Sequence, residues 1–295
     1  MLRIWARLLQ TMVRGALEVA FLKDWVWRLI LKLRHHFARI TPPLELETTF
    51  DDNIRIITSL SDHIESQVFW QGFQEADEGV IVLLKRQLPV NGVFIDIGAN
   101  IGTFTLVAAR RALLGQVHAF EPSAHHFARL ARNVELNHFK NVVLNQKGLY
   151  DQPGEAILFL PSQAGEMNNS GAASLYTCGT EGAGQVSEAV SLVRLDDYIR
   201  DRSIECVDII KIDIEGAEIK ALEGARDTIM RFRPLVFMEL DLDNLARADQ
   251  SPDEVLELWK SLNYEVFIIR VTGKTIPVNN SKELGPHQNL ECRPR

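Results

Sequence analysis

Residues 94–105 read Phe-Ile-Asp-Ile-Gly-Ala-Asn-Ile-Gly-Thr-Phe-Thr. A strand buried on both faces of a parallel sheet shows as a short apolar run rather than an alternation. This run passes directly into Asp96-x-Gly98-x-Asn100-x-Gly102 and then into the start of a helical pattern. Glycine lets a backbone approach a ligand closely, and the first turn of a helix supplies unpaired N–H groups. Strand, glycine turn and helix in this order predict a nucleotide-binding turn in an α/β fold.

Working outward, short apolar runs predict strands at 93–97, 116–120, 142–145, 207–212 and 235–240, with helices at 103–112, 123–137 and 217–230 between them. That is a Rossmann-like alternation. A further helix starts at Ser251-Pro252-Asp253-Glu254, with proline in its first turn, and a strand follows at 264–271. Extra strands at 155–160 and 186–193 flank 161–185, a stretch rich in Gly, Ala, Ser and Asn. A loop of that length covers a site or is disordered. Upstream, 44–90 is expected to cap the sheet, helical around 62–88 with Gly72 and Gly79 as breaks. The predicted organisation is an arm at 1–43, a cap at 44–90, and an α/β domain at 91–295 carrying an insertion at 155–193.

Three clusters carry chemistry. A dinucleotide turn favours GxGxxG, but here Asp96 stands where its first glycine would be. An acid suits the cationic amino group of a methionine moiety better than a pyrophosphate. Glu121, in Phe120-Glu121-Pro122, lies 19 residues beyond Gly102 at the end of the next strand, where a carboxylate accepts protons from ribose hydroxyls. Together these favour S-adenosylmethionine over NAD. The third cluster is Ile209-Ile-Lys-Ile-Asp-Ile-Glu-Gly-Ala-Glu218, which crowds Lys211, Asp213, Glu215 and Glu218 at a strand's carboxyl end. Carboxylates beside a hydroxyl can orient it and take its proton as a methyl group arrives. The competing reading has Asp213 and Glu215 capping the helix and pairing with Lys211. No metal is expected, because no histidine accompanies the acids Asp213, Glu215 and Glu239. His125 and His126 are expected on an exposed helix face, away from the chemistry.

Charge is divided unevenly along the 295 residues. The first 40 carry eight basic and two acidic side chains, a net +6, so the overall -7 leaves -13 on the rest. This argues against nucleic-acid binding, which needs a concentrated basic surface on the body. With 46% hydrophobic and 24% charged residues the chain is neither disordered nor fibrous in composition. Three scattered cysteines, Cys178, Cys206 and Cys292, make no CxxC pair and argue against a disulfide scaffold. In the arm Arg3, Arg7, Gln10, Arg14 and Glu18 recur at helical spacing, and a helix is expected to end before Thr41-Pro42-Pro43. No run there is apolar enough to span a bilayer. The arm packs on the body or on a second subunit, lies in an anionic membrane interface, or is an organelle presequence. The expected location is the cytoplasm, peripheral on a membrane if the arm binds one.

FIDIGANIGTFT, FEP, the LDDY of Leu195 to Tyr198, KIDIEGAE and RPLVFMEL together resemble the FkbM family of S-adenosylmethionine-dependent methyltransferases, over roughly residues 91–240. The resemblance implies a class I fold with a mostly parallel seven-stranded sheet, helices on both faces, and methyl transfer to oxygen. It implies that Asp96, Gly98, Asn100 and Gly102 hold the methionine end of the cofactor and Glu121 the ribose, with Asp213 near the reacting methyl. Residues 145–151, NQKGLYD, resemble the family's adenine-side turn, with Gly148 in place of the commoner alanine. The expected partner is a small-molecule, glycan or lipid-linked hydroxyl acceptor: a sugar, glycolipid, polyketide or similar metabolite. Lys211 and Glu215 join Asp213 as the residues expected to serve catalysis. The other classes in play are an NAD-dependent oxidoreductase and a non-catalytic, membrane-associated binding protein on a nucleotide fold.

Overall fold

The computed structural model describes residues 2–17, 23–40, 42–72, 75–160, 170–176 and 186–295. It divides into two compact units, the first within Met1–Glu75 and the second within Ala76–Leu160 and Ala172–Arg295. Most of the 161–185 insertion, and with it Cys178, lies outside the described residues.

In the first unit, helices α1 (Leu2–Leu17) and α2 (Lys23–Ala38) precede strands β1 (Glu45–Phe50) and β2 (Ile54–Ser59) and helix α3 (His63–Gln71). The arm's two described helices are the one that carries the stripe of Arg3 to Arg14 and the one expected to end before Thr41. The hairpin β1–β2 was not expected. Its register runs from Glu45 opposite Ser59 to Phe50 opposite Ile54, and Asp51, Asp52 and Asn53 at the tip all have positive φ. Asp and Asn tolerate that left-handed region better than most residues. Asp62 caps α3 by accepting from the Glu65 backbone N–H at 2.9 Å, and Gly72 ends it at φ 90°. Ala6, Val13, Val26, Ile30, Phe37, Phe69 and Trp70 share one buried cluster.

The second unit opens with α4 (Glu78–Gln87), β3 (Val93–Ile97), α5 (Thr103–Arg111), β4 (Gln116–Phe120), α6 (Ala124–Leu136) and β5 (Val142–Asn145). Gly79 lies inside α4 instead of breaking it. A Cβ there would stand 2.2 Å from the Arg270 carbonyl oxygen, so the glycine lets the helix approach that backbone. There follow β6 (Gly148–Leu149), β7 (Gly154–Leu160), β8 (Val186–Val193), α7 (Leu195–Asp201) and β9 (Ile209–Ile212). The helix expected over 217–230 is two, α8 (Glu218–Glu223) and α9 (Arg226–Phe232), parted where Gly224 passes the Tyr150 carbonyl. The unit ends with β10 (Leu235–Asp241), α10 (Leu242–Arg247), α11 (Pro252–Ser261), β11 (Tyr264–Ile269), β12 (Thr275–Pro277) and β13 (His287–Pro294).

The large sheet has the order β12-β11-β13-β10-β9-β3-β4-β5. Strands β10, β9, β3, β4 and β5 are mutually parallel, whereas β13 runs antiparallel to both β10 and β11. This is the mostly parallel Rossmann-like sheet that the alternation predicts, with eight strands instead of seven; the extra one is the three-residue edge strand β12. Every residue of β3 is buried, as cover on both faces requires. Strands β6, β8 and β7 form a separate small sheet. The carboxyl ends of β3, β4, β9 and β10 lie side by side, which is where open α/β sheets bind ligands.

Candidate functional site

The turn after β3 is fixed by its neighbours. Gly98 and Ala99 donate to the Phe120 carbonyl at 3.0 and 2.9 Å. Gly98 has φ +80°, and a Cβ on it would lie 1.9 Å from the Asp213 carbonyl oxygen. Gly102, at φ +101°, starts α5, and a Cβ there would lie 2.6 Å from Leu130 Cδ1. Both glycines therefore admit protein atoms, one from the β9 turn and one from α6. Asn100 between them also has positive φ, and its N–H donates to Glu121 Oε2 at 2.8 Å.

Glu121 is 5% exposed, and its other oxygen, Oε1, accepts from the Ser123 N–H at 2.9 Å. The carboxylate thus ties the β3 turn to the end of β4. Burial pushes its pKa up to about 7 against the pull of these two N–H groups. His126, expected on an exposed face, is buried, with Nδ1 3.9 Å from Glu121 Oε1. Burial pushes that imidazole down to about 4, so it stands neutral beside the acid. His125 is exposed as expected.

Asp96 is fully buried; its Oδ2 accepts from Thr105 Oγ1 at 2.5 Å while Oδ1 is buried with no hydrogen-bond partner. Burial raises its pKa above the ordinary range. Across the ladder its register partner is Lys211, a buried ammonium that donates to Asp213 Oδ2 at 2.8 Å and stands 4.5 Å from the Phe104 ring centroid. Burial works to lower the Lys211 pKa, but Asp213, Asp96 and Asp77 hold it above the usual lysine range. Such a cation stays charged and positions its carboxylates.

Asp213, Glu215 and Glu239 are half-buried and bring one carboxylate oxygen each within 4.8 Å of one another. Burial and the charge of Asp213 push Glu239 well above the carboxylate range, while Lys211 and a hydrogen bond with Glu239 hold Asp213 below it against burial. Glu215, at φ 55°, accepts from Asn244 Nδ2, and its carbonyl accepts from Ser174 Oγ at 2.7 Å. Burial and Asp213 push its carboxyl up to about 8. Glu218 points back into its own turn, accepting from Gly216 N–H at 3.1 and 3.0 Å, and stays out of the cluster.

A histidine does accompany these acids. His287 Nε2 lies 3.3 Å from Glu239 Oε1 and its Nδ1 lies 3.3 Å from Asp241 Oδ2. It arrives on β13, in register opposite Asp241. The sequence reading missed it because β13 was not anticipated: buried Asn289 and Glu291 interrupt the apolar pattern. Glu291 is satisfied by Gln87 at 3.0 Å and Arg293 at 2.6 Å. The three carboxylates alone lie at a spacing that could hold one ion; His287 is engaged with Glu239 and Asp241 beside them.

For S-adenosylmethionine the fit is tested by atoms that lack a protein partner or sit at the sheet edge. The orphaned Asp96 Oδ1 is an acceptor suited to an ammonium. Glu121 keeps lone pairs beyond its two backbone donors. Gly148 has Leu192 Cδ2 2.7 Å from where a Cβ would be, so leucine fills the space of the commoner alanine's methyl.

The family model described as the methyltransferase FkbM domain matches residues 96–266, more than half of the chain. Methyltransferase sdnD of Sordaria araneosa is 33% identical over 159 residues, which cover 46% of this chain and 61% of that protein. The 31-O-demethyl-FK506 methyltransferase FkbM of Streptomyces tacrolimicus is 32% identical over 180 residues, covering 53% of this chain and 68% of that one. Hexuronic acid methyltransferase AglP of Haloferax volcanii is 28% identical over 153 residues, covering 52% and 58%. The match with sdnD thus spans less than two thirds of that relative's length.

Proposed function

The chain belongs to the FkbM methyltransferase family, and from that premise we propose that it transfers the methyl group of S-adenosylmethionine to a hydroxyl of a sugar, glycolipid, polyketide or similar metabolite. The observation that carries this reading is the adjacency, at the carboxyl ends of four neighbouring strands, of the Glu121-anchored glycine turn and the carboxylates Asp213, Glu215 and Glu239. The names of two relatives, one specifying a 31-O position and one a hexuronic acid, support an oxygen acceptor.

Bound at this edge, S-adenosylmethionine supplies an electrophilic methyl group. Asp96 Oδ1 would take the cofactor's ammonium, and Glu121 its ribose hydroxyls, each already oriented by buried contacts. Lys211 keeps Asp213 ionised. Glu215 is the better general base of the two acids, because a pKa near working pH balances ionised fraction against basicity. Its Oε2 is engaged by Asn244, leaving Oε1 to receive the acceptor's proton as the new C–O bond forms. A cavity of about 400 Å³ lined by Ile268, Arg270, Glu283, His287 and Gln288 meets this neighbourhood through His287, and none of the three carboxylates lines it.

Calorimetry with S-adenosylmethionine and with NAD, followed by transfer of radiolabelled methyl into extracts and identification of the product, tests the reading. The expected result is S-adenosylmethionine binding without NAD binding, and label recovered as a methyl ether. Binding of NAD alone would make the chain an oxidoreductase. Cofactor binding with no transfer would make it a non-catalytic binding protein.

A further inference from the structure

Helix α1 is held by its polar side. Gln10 Nε2 donates to Thr48 Oγ1 at 2.5 Å and to the Phe69 carbonyl at 2.7 Å. The Arg14 guanidinium donates to the carbonyls of Thr49, Val68 and Phe69 at 2.6, 2.8 and 2.8 Å. Burial pushes the Arg14 pKa down to about 10, well above neutrality, so it remains a cation inside this contact. Ala6 and Val13 are buried on the same side. The helix thus spends part of its polar stripe on the β1–β2 hairpin and α3.

What it leaves outward is apolar. Ile4, Trp5, Leu8 and Met12 are between 56% and 69% exposed. Ile4, Leu8 and Met12 follow at intervals of four, which places them on one stripe with Trp5 beside it. Arg3 and Arg7 belong to the polar stripe with Gln10 and Arg14, across the helix from these apolar positions, and are exposed. Helix α2 repeats the composition, with Trp25 at 62% and Leu31 at 58% exposed among exposed Arg28, Lys32 and Arg39. An outward apolar stripe of this kind marks an interaction surface.

Charge decides what covers it. Arg14 and Arg34 are turned into the unit, but Arg3, Arg7, Arg28, Lys32 and Arg39 are exposed cations on the two helices. Two arms meeting face to face would bring these like charges together, which opposes a symmetric dimer through this surface. An anionic phospholipid surface complements both components. Indole rings settle at headgroup depth, the aliphatic stripe enters the acyl boundary, and Arg and Lys meet lipid phosphates. No described helix is long and apolar enough to cross a membrane, so the contact lies in the interface plane.

We infer that α1 and α2 form a peripheral membrane-binding surface for anionic phospholipid, with Ile4, Trp5, Leu8, Met12 and Trp25 as its apolar contacts and Arg28 and Lys32, which share Trp25's face of α2, as its charges. This is independent of the proposed methyl transfer. The four outward positions on α1 are exposed, so altering them leaves the buried cluster of the first unit intact.

The test is sedimentation of the full chain with vesicles of phosphatidylcholine alone and of equal parts phosphatidylcholine and phosphatidylglycerol, at low and high salt. The full chain is expected to bind only the mixed vesicles, less tightly as salt rises. Leu8→Glu with Met12→Glu, and separately Arg28→Glu with Lys32→Glu, should each lower vesicle affinity by at least about tenfold. Thermal melting of these variants should match the parent, which separates lost binding from lost fold. No binding of the parent to mixed vesicles overturns the inference. So does a concentration-dependent dimer in light scattering that Leu8→Glu with Met12→Glu abolishes, because the stripe would then be an interface between copies.

Discussion

The carbonyl oxygen of Asp213 fills the space that a side chain on residue 98 would need, 1.9 Å from where the Cβ would stand. The glycine turn after β3 and the acidic turn after β9 are therefore packed backbone to backbone, and one cannot shift without the other. Gly98→Ala is expected to lower folding stability by at least about 1–3 kcal/mol through overpacking and the positive φ together, before any ligand is added. Denaturation of the ligand-free variant reads this directly. Unchanged stability with lost cofactor affinity would mean the missing Cβ serves the ligand instead.

Glu121 has a structural duty beside its proposed contact with ribose. Glu121→Ala leaves the N–H groups of Asn100 and Ser123 without their acceptor, at a cost of about 1–3 kcal/mol each if water does not replace it. The variant should melt at a lower temperature than the parent and bind S-adenosylmethionine more weakly. Glu121→Gln should lie between them, since one oxygen is kept. Calorimetry showing parental affinity in both variants would remove Glu121 from the cofactor site.

The raised pKa of Glu215, about 8, has two consequences of opposite sign. Activity that depends on its ionised form should rise with pH through about 8, and Glu215→Gln should flatten this limb and lower kcat by about 10²–10⁴. Stability moves the other way. The unfolded chain ionises near the ordinary glutamate value, so the folded form loses ground as pH rises from there toward 8. A kcat profile without that limb would pass the base role to Asp213, whose pKa Lys211 holds below the ordinary carboxylate range.

Two glycines within helices should respond in opposite ways to alanine. At Gly79 a Cβ would stand 2.2 Å from the Arg270 carbonyl, so Gly79→Ala should destabilise by about 1–3 kcal/mol. At Gly15 in α1 nothing lies within 4 Å, so Gly15→Ala should stabilise by up to about 1 kcal/mol. Chemical denaturation of the pair measures both.

Where the chain alternates short apolar runs with helices, the elements were legible to the residue: 93–97, 116–120, 142–145 and 186–193 are strands as read. The β1–β2 hairpin was missed because Thr48 and Thr58 take buried positions and mask its period of two. Strand β13 was missed because buried Asn289 and Glu291, the latter paired with partly exposed Arg293, stand where apolar residues were sought. Among the site residues, the grouping of Asp213 and Glu215 was local and readable. Glu239 was grouped with them from RPLVFMEL at the end of the next parallel strand, whereas His287 joins only through the register of β10 with β13, which no local pattern states. The inward turn of Gln10 and Arg14 was equally hidden, since a wheel of residues shows which side is polar but not which side the body holds.

Strand β13 lies between β10 and β11 although it follows both in the chain. During synthesis β11 and β12 therefore emerge with no place on the sheet, and the edge of β10 stays open from residue 241 until residues 287–294 have left the ribosome. At about 5–20 residues per second that interval lasts roughly 3–10 s. For those seconds the growing chain exposes an unpaired strand edge beside its acidic cluster, and the delivery of His287 is the same event that closes it.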